Sequence, residues 1–269
     1  MPKLSGIMSN LIKSYLMNDH VFDLTGKTVL VTGGGTGLGL GIARTLIDAG
    51  GKVIILGRRE DVLKKACNKL GGQSSYKVFD LSRIENIPGL VNDLEKEAGP
   101  VDILVNNAGI HLKKDALMVT DEEFEKMIRI NQQAVFSLSR ELSKKMGQRR
   151  SGCIIMISSM ASRYGIPKVV AYTAAKSAIE GMTRALAVEL SPIGIRVNCI
   201  APGFIKTEMS ANAFDGDTER KNKVLSRTPM GFLGSPDDVG YAVVYLSSKA
   251  AKYVTGVVLP IDGGNSIGF

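Results

Sequence analysis

The chain has 269 residues, 44% of them hydrophobic, and carries a formal net charge of +8. That length suits one large α/β domain, and no apolar run reaches the roughly 20 residues needed to cross a bilayer. The basic residues are dispersed and form no basic-aromatic motif, which argues against nucleic acid and leaves a mild bias towards anionic small molecules or acidic partners.

Residues 1–20 show neither a continuous apolar h-region nor a cleavage site, so they do not read as a signal peptide. Leu4, Ile7, Met8, Leu11, Ile12, Tyr15 and Leu16 recur at three- and four-residue spacing, which predicts a short amphipathic helical extension covered by the body or by a neighbouring subunit. Residues 21–269 then form one domain with no internal linker. Strand-like runs at 27–32, 52–56, 76–79, 101–106, 153–158, 196–200 and 257–261 alternate with helical stretches. Several are continuous Val/Ile/Leu runs, as parallel strands buried on both faces require. The pattern predicts an α/β fold: a Rossmann-type, doubly wound, seven-stranded parallel sheet with helices on both faces and ligands at the strands' carboxyl ends. Cys67, Cys153 and Cys199 are far apart, the last two in apolar runs, so free thiols in a reducing, cytoplasmic setting are expected. Two histidines and no clustered thiols supply no structural metal site.

The first strand runs into Thr32-Gly33-Gly34-Gly35-Thr36-Gly37-Leu38-Gly39 and then a helix, the context in which backbone N–H groups can approach a pyrophosphate. The second strand ends at Gly57-Arg58-Arg59. An acid there would hold the 2′-hydroxyl of NAD, whereas arginine accommodates the 2′-phosphate of NADP, so NADP(H) is expected over NAD(H). Asp80-Leu81 closes the third strand, where the aspartate can accept from an adenine amino group. Asn106-Asn107-Ala108-Gly109 closes the fourth, and both stretches also fit turn chemistry alone. His111 follows in what reads as an exposed loop. Asn131 falls on the apolar stripe of the next helix and must find partners, as a structural hydrogen-bonder or in a water-linked proton path. The fifth strand ends at Ser158-Ser159.

Tyr172 and Lys176 are four apart, one above the other on a helix face. A cation about 4 Å from a phenolate stabilises it by about 4 kcal/mol at an effective dielectric near 20. That is roughly 3 pK units, enough to bring a phenol of ordinary pKa about 10 towards general acid-base work. Between Gly203 and Gly231 lies a long excursion with Met209, Phe214 and charges from Asp215 to Lys223, which reads as an active-site lid.

Together, Thr32-Gly33-x-x-x-Gly37-x-Gly39, Asn106-Asn107-Ala108-Gly109, Asn131, Ser159, Tyr172-x-x-x-Lys176 and Pro202-Gly203-x-x-x-Thr207 resemble the short-chain dehydrogenase/reductase family over roughly residues 22–265. The resemblance implies an oxidoreductase with Asn131, Ser159, Tyr172 and Lys176 as catalytic residues. Gly33, Gly35, Thr36, Gly37, Leu38, Gly39, Arg58, Arg59, Asp80, Leu81, Asn107, Ala108, Gly109, Tyr172, Lys176, Pro202, Gly203, Ile205 and Thr207 would line the NADP(H) site. It also implies a homotetramer pairing the helices at 123–146 and 173–190, where Ala174, Ala175, Ala178 and Gly181 permit close approach. Residues 22–27, Ser159-Met160 and the helix from Tyr172 to Arg184 are similar to gluconate 5-dehydrogenases, which implies a polyol or sugar-acid substrate. Arg163 and Lys168, lying between Ser159 and Tyr172, are candidates to clamp its carboxylate. A 3-oxoacyl-carrier-protein reductase is the alternative. Arg149 and Arg150 could form its basic surface, but Ile193 stands where such reductases carry a basic residue. A non-catalytic NADP(H)-sensing protein is the reading from outside the enzymes.

Overall fold

The computed structural model describes residues 21–207 and 218–268. The predicted helical extension at 1–20 lies outside the described residues, as do Met209, Phe214 and the rest of 208–217 from the predicted lid.

In chain order the elements are β1 (Thr28–Thr32), α1 (Gly37–Asp48), β2 (Lys52–Gly57), α2 (Glu60–Leu70), β3 (Ser74–Val78), α3 (Ile87–Ala98), β4 (Ile103–Asn106) and α4 (Asp121–Ile128). A π-helical segment (Arg129–Gln133) leads into α5 (Ala134–Gln148), followed by β5 (Gly152–Ile157), α6 (Val170–Leu190), β6 (Ile195–Pro202), α7 (Thr218–Ser226), α8 (Pro236–Ser247) and β7 (Val258–Ile261). All strand pairs are parallel, in the order β3-β2-β1-β4-β5-β6-β7. This is the doubly wound sheet expected from the sequence.

Alternation along each strand feeds two cores. Val29, Val31, Val53, Ile55, Cys153 and Ile155 face α1, α2 and α8, where Ile42, Leu46, Leu63, Val239 and Val243 meet them. Leu30, Ile54, Leu56, Leu104, Ile154 and Met156 face the other way, against Leu90, Leu94, Leu138, Leu142 and Ile179 of α3, α5 and α6. Two capping boxes start helices cleanly, Thr120 with Glu123 on α4 and Ser235 with Asp238 on α8. Glycine lets α1 and α8 close up, since a Cβ on Gly41 would sit 2.3 Å from Pro236 Cβ. Cys153 and Cys199 are buried free thiols, while Cys67 is half-buried. Among the described residues no helix is long and apolar enough to cross a membrane, and no group of three or more His, Cys, Asp or Glu could hold a metal ion.

Candidate active site

The carboxyl ends of β1 and β4 are tied together by one hydroxyl. Thr32 Oγ1 accepts from the N–H groups of Asn107 (3.0 Å) and Ala108 (2.9 Å) and donates to the Val105 carbonyl (3.2 Å). The Asn107 amide returns a hydrogen bond to the Thr32 carbonyl at 2.9 Å. Over this clamp the chain turns sharply into α1, with Gly33 at φ +66° and Gly37 at φ +51°, backbone that favours glycine. A Cβ on Gly39 would lie 2.2 Å from the Gly33 carbonyl oxygen and 2.6 Å from Asn107 Nδ2, so only glycine permits the turn. Gly35 is half-buried and Thr36 exposed, and the Thr36 side chain makes no capping bond. Leu38 packs on the core beneath, and the first turn of α1 carries no acidic residue. The result is a cradle of main-chain N–H groups at a helix N-terminus, suited to a phosphate. Thr207 overhangs it, 3.8 Å from where a Gly37 Cβ would be.

Beside the cradle, β2 ends at half-buried Gly57 with Arg58 and Arg59 exposed. A Cβ on Gly57 would meet only Leu63, at 3.3 Å. The Asp80 carboxyl is held below its usual range, first by the Ser82 N–H donating to it at 3.0 Å and in smaller part by the charge of Arg58. Leu81 lies half-buried against the second core. On the other flank, Pro202 closes β6. The Gly203 N–H reaches the Ile261 carbonyl at 2.9 Å, and a Cβ on Gly203 would lie 2.7 Å from Asp262 Cα. Ile205 bridges to Gly234 and buries its side chain in the first core, so only its backbone faces this flank.

The residues expected to handle the proton meet where β5 and α6 adjoin. Ser159 follows β5 and caps a short turn, its Oγ accepting the Ala161 N–H at 3.2 Å. Tyr172 lies in the first turn of α6 and Lys176 one turn further on. Lys176 is 5% exposed; its Nζ donates to the Ile157 carbonyl at 2.7 Å and stands 5.7 Å from the centre of the Tyr172 ring. Burial lowers its pKa to about 8. Burial raises the Tyr172 phenol, opposed only by hydrogen bonding to Ser159. The expectation that Lys176 would bring the phenol down is therefore corrected: the ammonium is turned to the Ile157 carbonyl, and burial sets the direction of the phenol's shift.

Asn131 is fully buried in the π-helical segment. Its Oδ1 accepts the Ile110 N–H at 2.8 Å and its Nδ2 donates to the Ile110 carbonyl at 2.8 Å. A Cβ on Gly109 would lie 3.0 Å from Asn131 Oδ1 and 3.8 Å from Lys176 Nζ, so glycine lets these groups converge. His111, readable from the sequence either as an exposed loop residue or as an edge of the substrate mouth, is exposed, and its ring lies 4.8 Å from that of Tyr172.

Asn131, Ser159, Tyr172 and Lys176 thus come together, but the two proposed clamps do not join them. Arg163 donates to the Val258 carbonyl at 3.2 Å and lies 4.0 Å from Glu180. Lys168, at φ +69°, pairs with Asp115 at 3.3 Å.

This fold and site define a dinucleotide-dependent oxidoreductase, and the comparisons agree. Residues 32–266 match the family model described as enoyl-(acyl carrier protein) reductase. The chain is 41% identical to the 3-oxoacyl-[acyl-carrier-protein] reductase of Rickettsia prowazekii, covering 91% of this chain and 98% of that one. It is 37% identical to the 5-keto-D-gluconate 5-reductase of Escherichia coli, covering 92% and 98%. The solved gluconate 5-dehydrogenase of Burkholderia cenocepacia, in complex with NADP and tartrate, superposes with a TM-score of 0.87 at 30% identity, covering 92% and 98%. The chain belongs to the short-chain dehydrogenase/reductase family.

The buried lysine has a measurable signature. Below about pH 8 the folded and unfolded chains both hold its proton, and the fold bears the cost of burying that charge, on the order of 3 kcal/mol. Between about pH 8 and the ordinary 10.5 the unfolded chain binds more protons, so this contribution to stability rises with pH. The urea midpoint of the wild type relative to Lys176→Met should climb across that window. Parallel pH profiles for the two proteins would contradict a titration near 8.

Proposed function

We propose that the protein interconverts a secondary alcohol and a ketone with NADP(H), and that its substrate is a polyol or sugar acid. The observation that carries the reaction is the convergence of Ser159 and Tyr172, two hydroxyl donors, at the carboxyl edge beside the glycine cradle. NADP(H), when bound, supplies or accepts the hydride.

Gly33, Gly35, Thr36, Gly37, Leu38 and Gly39 would cradle its pyrophosphate, and Asp80 and Leu81 would flank the adenine. Asn107, Ala108, Gly109, Pro202, Gly203, Ile205 and Thr207 would line the nicotinamide end. Gly57 offers no carboxylate to repel a 2′-phosphate, and exposed Arg58 and Arg59 offer it cations. With its pKa raised by burial, Tyr172 keeps its proton at neutral pH and can give it to the developing alkoxide, while Ser159 holds that oxygen. Lys176 would bind the nicotinamide ribose and hold the nearby positive charge. Asn131 fixes the Ile110 backbone, and with it Gly109, against Lys176.

The sugar-acid assignment rests on the E. coli and B. cenocepacia relatives, and not on Arg163 or Lys168, which have other partners. The R. prowazekii relative favours an acyl-carrier-protein thioester instead. The arginines expected to serve that substrate sit at the opposite end of the sheet within the chain. Arg149 binds Glu95 (2.8 Å) and the Val101 carbonyl (3.0 Å), and Arg150 binds the Pro192 carbonyl (2.9 Å), beside the start of β5. NADPH consumption across oxo-sugar acids, acyl thioesters and simple diketones decides between the readings. Turnover of the thioester without any sugar acid would give the case to the carrier-protein reductase. Tyr172→Phe should lose about 10²–10⁴-fold in kcat while still binding NADPH; a variant keeping a tenth of the rate would remove Tyr172 from proton transfer.

Replacing Gly57 by Asp and Arg58 by Ala should shift preference towards NAD(H), because the new carboxylate repels a 2′-phosphate; its Cβ would lie 3.3 Å from Leu63 Cδ2, so that side chain must yield by a few tenths of an ångström. Tighter binding of NADH than NADPH by the unmodified protein would overturn the cofactor assignment.

We also propose a homotetramer. Phe136 on α5 is 40% exposed, and Gly181 on α6 has nothing within 4 Å of its Cβ position, which leaves room for a helix to approach closely. Light scattering at micromolar concentration should give four chains, and a monomer would reject the assembly.

A further inference from the structure

One turn beyond Lys176 on α6 stands Glu180, its side chain 14% exposed. Its Oε1 accepts from two hydroxyls, Ser158 at 3.2 Å and Ser162 at 2.5 Å. These serines bracket Ser159. The Ser158 hydroxyl also lies 3.1 Å from the Lys176 carbonyl and 3.3 Å from Ser162 Oγ, and Ser162 Oγ lies 2.5 Å from the Ser159 carbonyl. Two hydroxyl protons are thus shared among the Glu180 carboxylate, the Ser159 carbonyl and the Lys176 carbonyl. A carboxylate accepts only, so it draws both hydroxyls to one oxygen. The Arg163 guanidinium, 4.0 Å from Glu180, closes the far side.

We infer that Glu180 is a positioning residue that fixes Ser159 relative to Tyr172 by cross-linking the serine turn to α6 through Ser158 and Ser162. The inference rests on the reading of Ser159 as the group that holds the reacting oxygen. The turn in question is a single 3-10 turn, Met160–Ser162, too short to be rigid by itself. Because α6 also carries Tyr172 and Lys176, anchoring the turn to the same helix sets the spacing between the two donors directly. Ser159 Oγ accepts the Ala161 N–H at 3.2 Å and hydrogen-bonds Tyr172, so a turn held in this place keeps the two hydroxyls together where a substrate oxygen would meet both. Arg163 enters as part of this anchor, so a substrate carboxylate would have to compete with Glu180 for it.

The test combines crystal structures of variants with steady-state kinetics on a simple diketone. In Glu180→Ala, Ser159 Oγ should be displaced while β5 and Lys176 stay in place. Its kcat should fall about tenfold, a part of the 10²–10³ that a lost oxyanion donor costs. The KM for NADPH should not move. Glu180→Gln keeps an acceptor oxygen and should recover most of the rate. In a Ser159→Ala background Glu180→Ala should cost less than about twofold, because the residue it positions is gone. Ser162→Ala, which cuts the link without emptying a buried carboxylate site, makes the same comparison if Glu180→Ala does not fold. An equal loss in the Ser159→Ala background, a parallel change in the NADPH KM, or an unmoved Ser159 in either variant structure would overturn the inference. Failure of the wild type to reduce any ketone would sink the proposed reaction instead, and the position of Ser159 in the variant structures would still decide the positioning.

Discussion

The site depends first on the Thr32 hydroxyl. In a parallel sheet the register Val31↔Val105 brings the carboxyl ends of β1 and β4 level, and there the main-chain ladder ends. Thr32 Oγ1 continues it by taking two N–H groups from Asn107 and Ala108. Without that oxygen the Ala108 N–H would lose its partner, at about 1–3 kcal/mol if left buried and unpaired, while the Asn107 N–H would keep only the Val105 carbonyl at 3.1 Å. The geometry would suffer more than the stability. The same clamp holds Gly33 within 3.0 Å of the Ala108 Cα when a Cβ is drawn on it, so the cradle and the turn after β4 share one wall. The turn continues into Gly109, where an added Cβ would meet Asn131 Oδ1 at 3.0 Å and Lys176 Nζ at 3.8 Å. A single side chain therefore sets the distance between the phosphate end and the proton-handling end.

Burial is the second constraint, and it acts against the charges the chemistry needs. Lys176 keeps its ammonium inside by donating to the Ile157 carbonyl, at the cost of a pKa near 8. Tyr172 is pushed the other way and stays a phenol. The two shifts have one cause, desolvation of the charged form, and opposite signs because one group is cationic and the other anionic when charged. The neighbouring Cys199 thiol, raised to about 12 chiefly by burial and next by the charge of Glu180, marks how dry this region is. Asn131 contributes no charge. The wide turn of the π-helical segment brings its amide against Ile110, and both its polar atoms are satisfied there.

The sheet was legible because Leu30, Ile54, Leu104 and Ile154 stand in unbroken apolar runs, which only a strand buried on both faces tolerates. The β3 boundary shifts by two residues: the strand begins at Ser74 and not at Tyr76, because an edge strand can carry polar residues such as Ser74 and Ser75 that pattern reading discards. The helix containing Asn131 reads as continuous since its apolar face persists on either side of the π-helical segment, and periodicity does not register a single wide turn. The spacing of Tyr172 and Lys176 puts them side by side on one helix face, and their roles came from the motifs that accompany them. The sign of the tyrosine shift was not legible, because spacing gives neighbours and says nothing of burial. Arg163 and Lys168 were misplaced for a related reason: sequence distance in a loop fixes no direction, and Lys168 adopts a left-handed backbone that turns it to Asp115.

That misplacement bears on how substrates are told apart. Arg163 already contacts Glu180 and Val258, and Lys168 pairs with Asp115, so a substrate carboxylate would have to compete with these partners for either cation. The loop after β4 is instead tied to the segment before α6 twice, by Lys168 with Asp115 and by the Lys114 N–H donating to the Lys168 carbonyl at 2.8 Å. These ties bring His111 over the Tyr172 ring. Two loops, cross-braced at the mouth, can therefore change in sequence while Asn131, Tyr172 and Lys176 stay on helical segments beneath them and Ser159 on the turn tied to α6. On the proposed reading such a division puts the chemistry in the elements and the selection in the loops, which suits a scaffold whose relatives include a 5-keto-D-gluconate 5-reductase and a 3-oxoacyl-carrier-protein reductase.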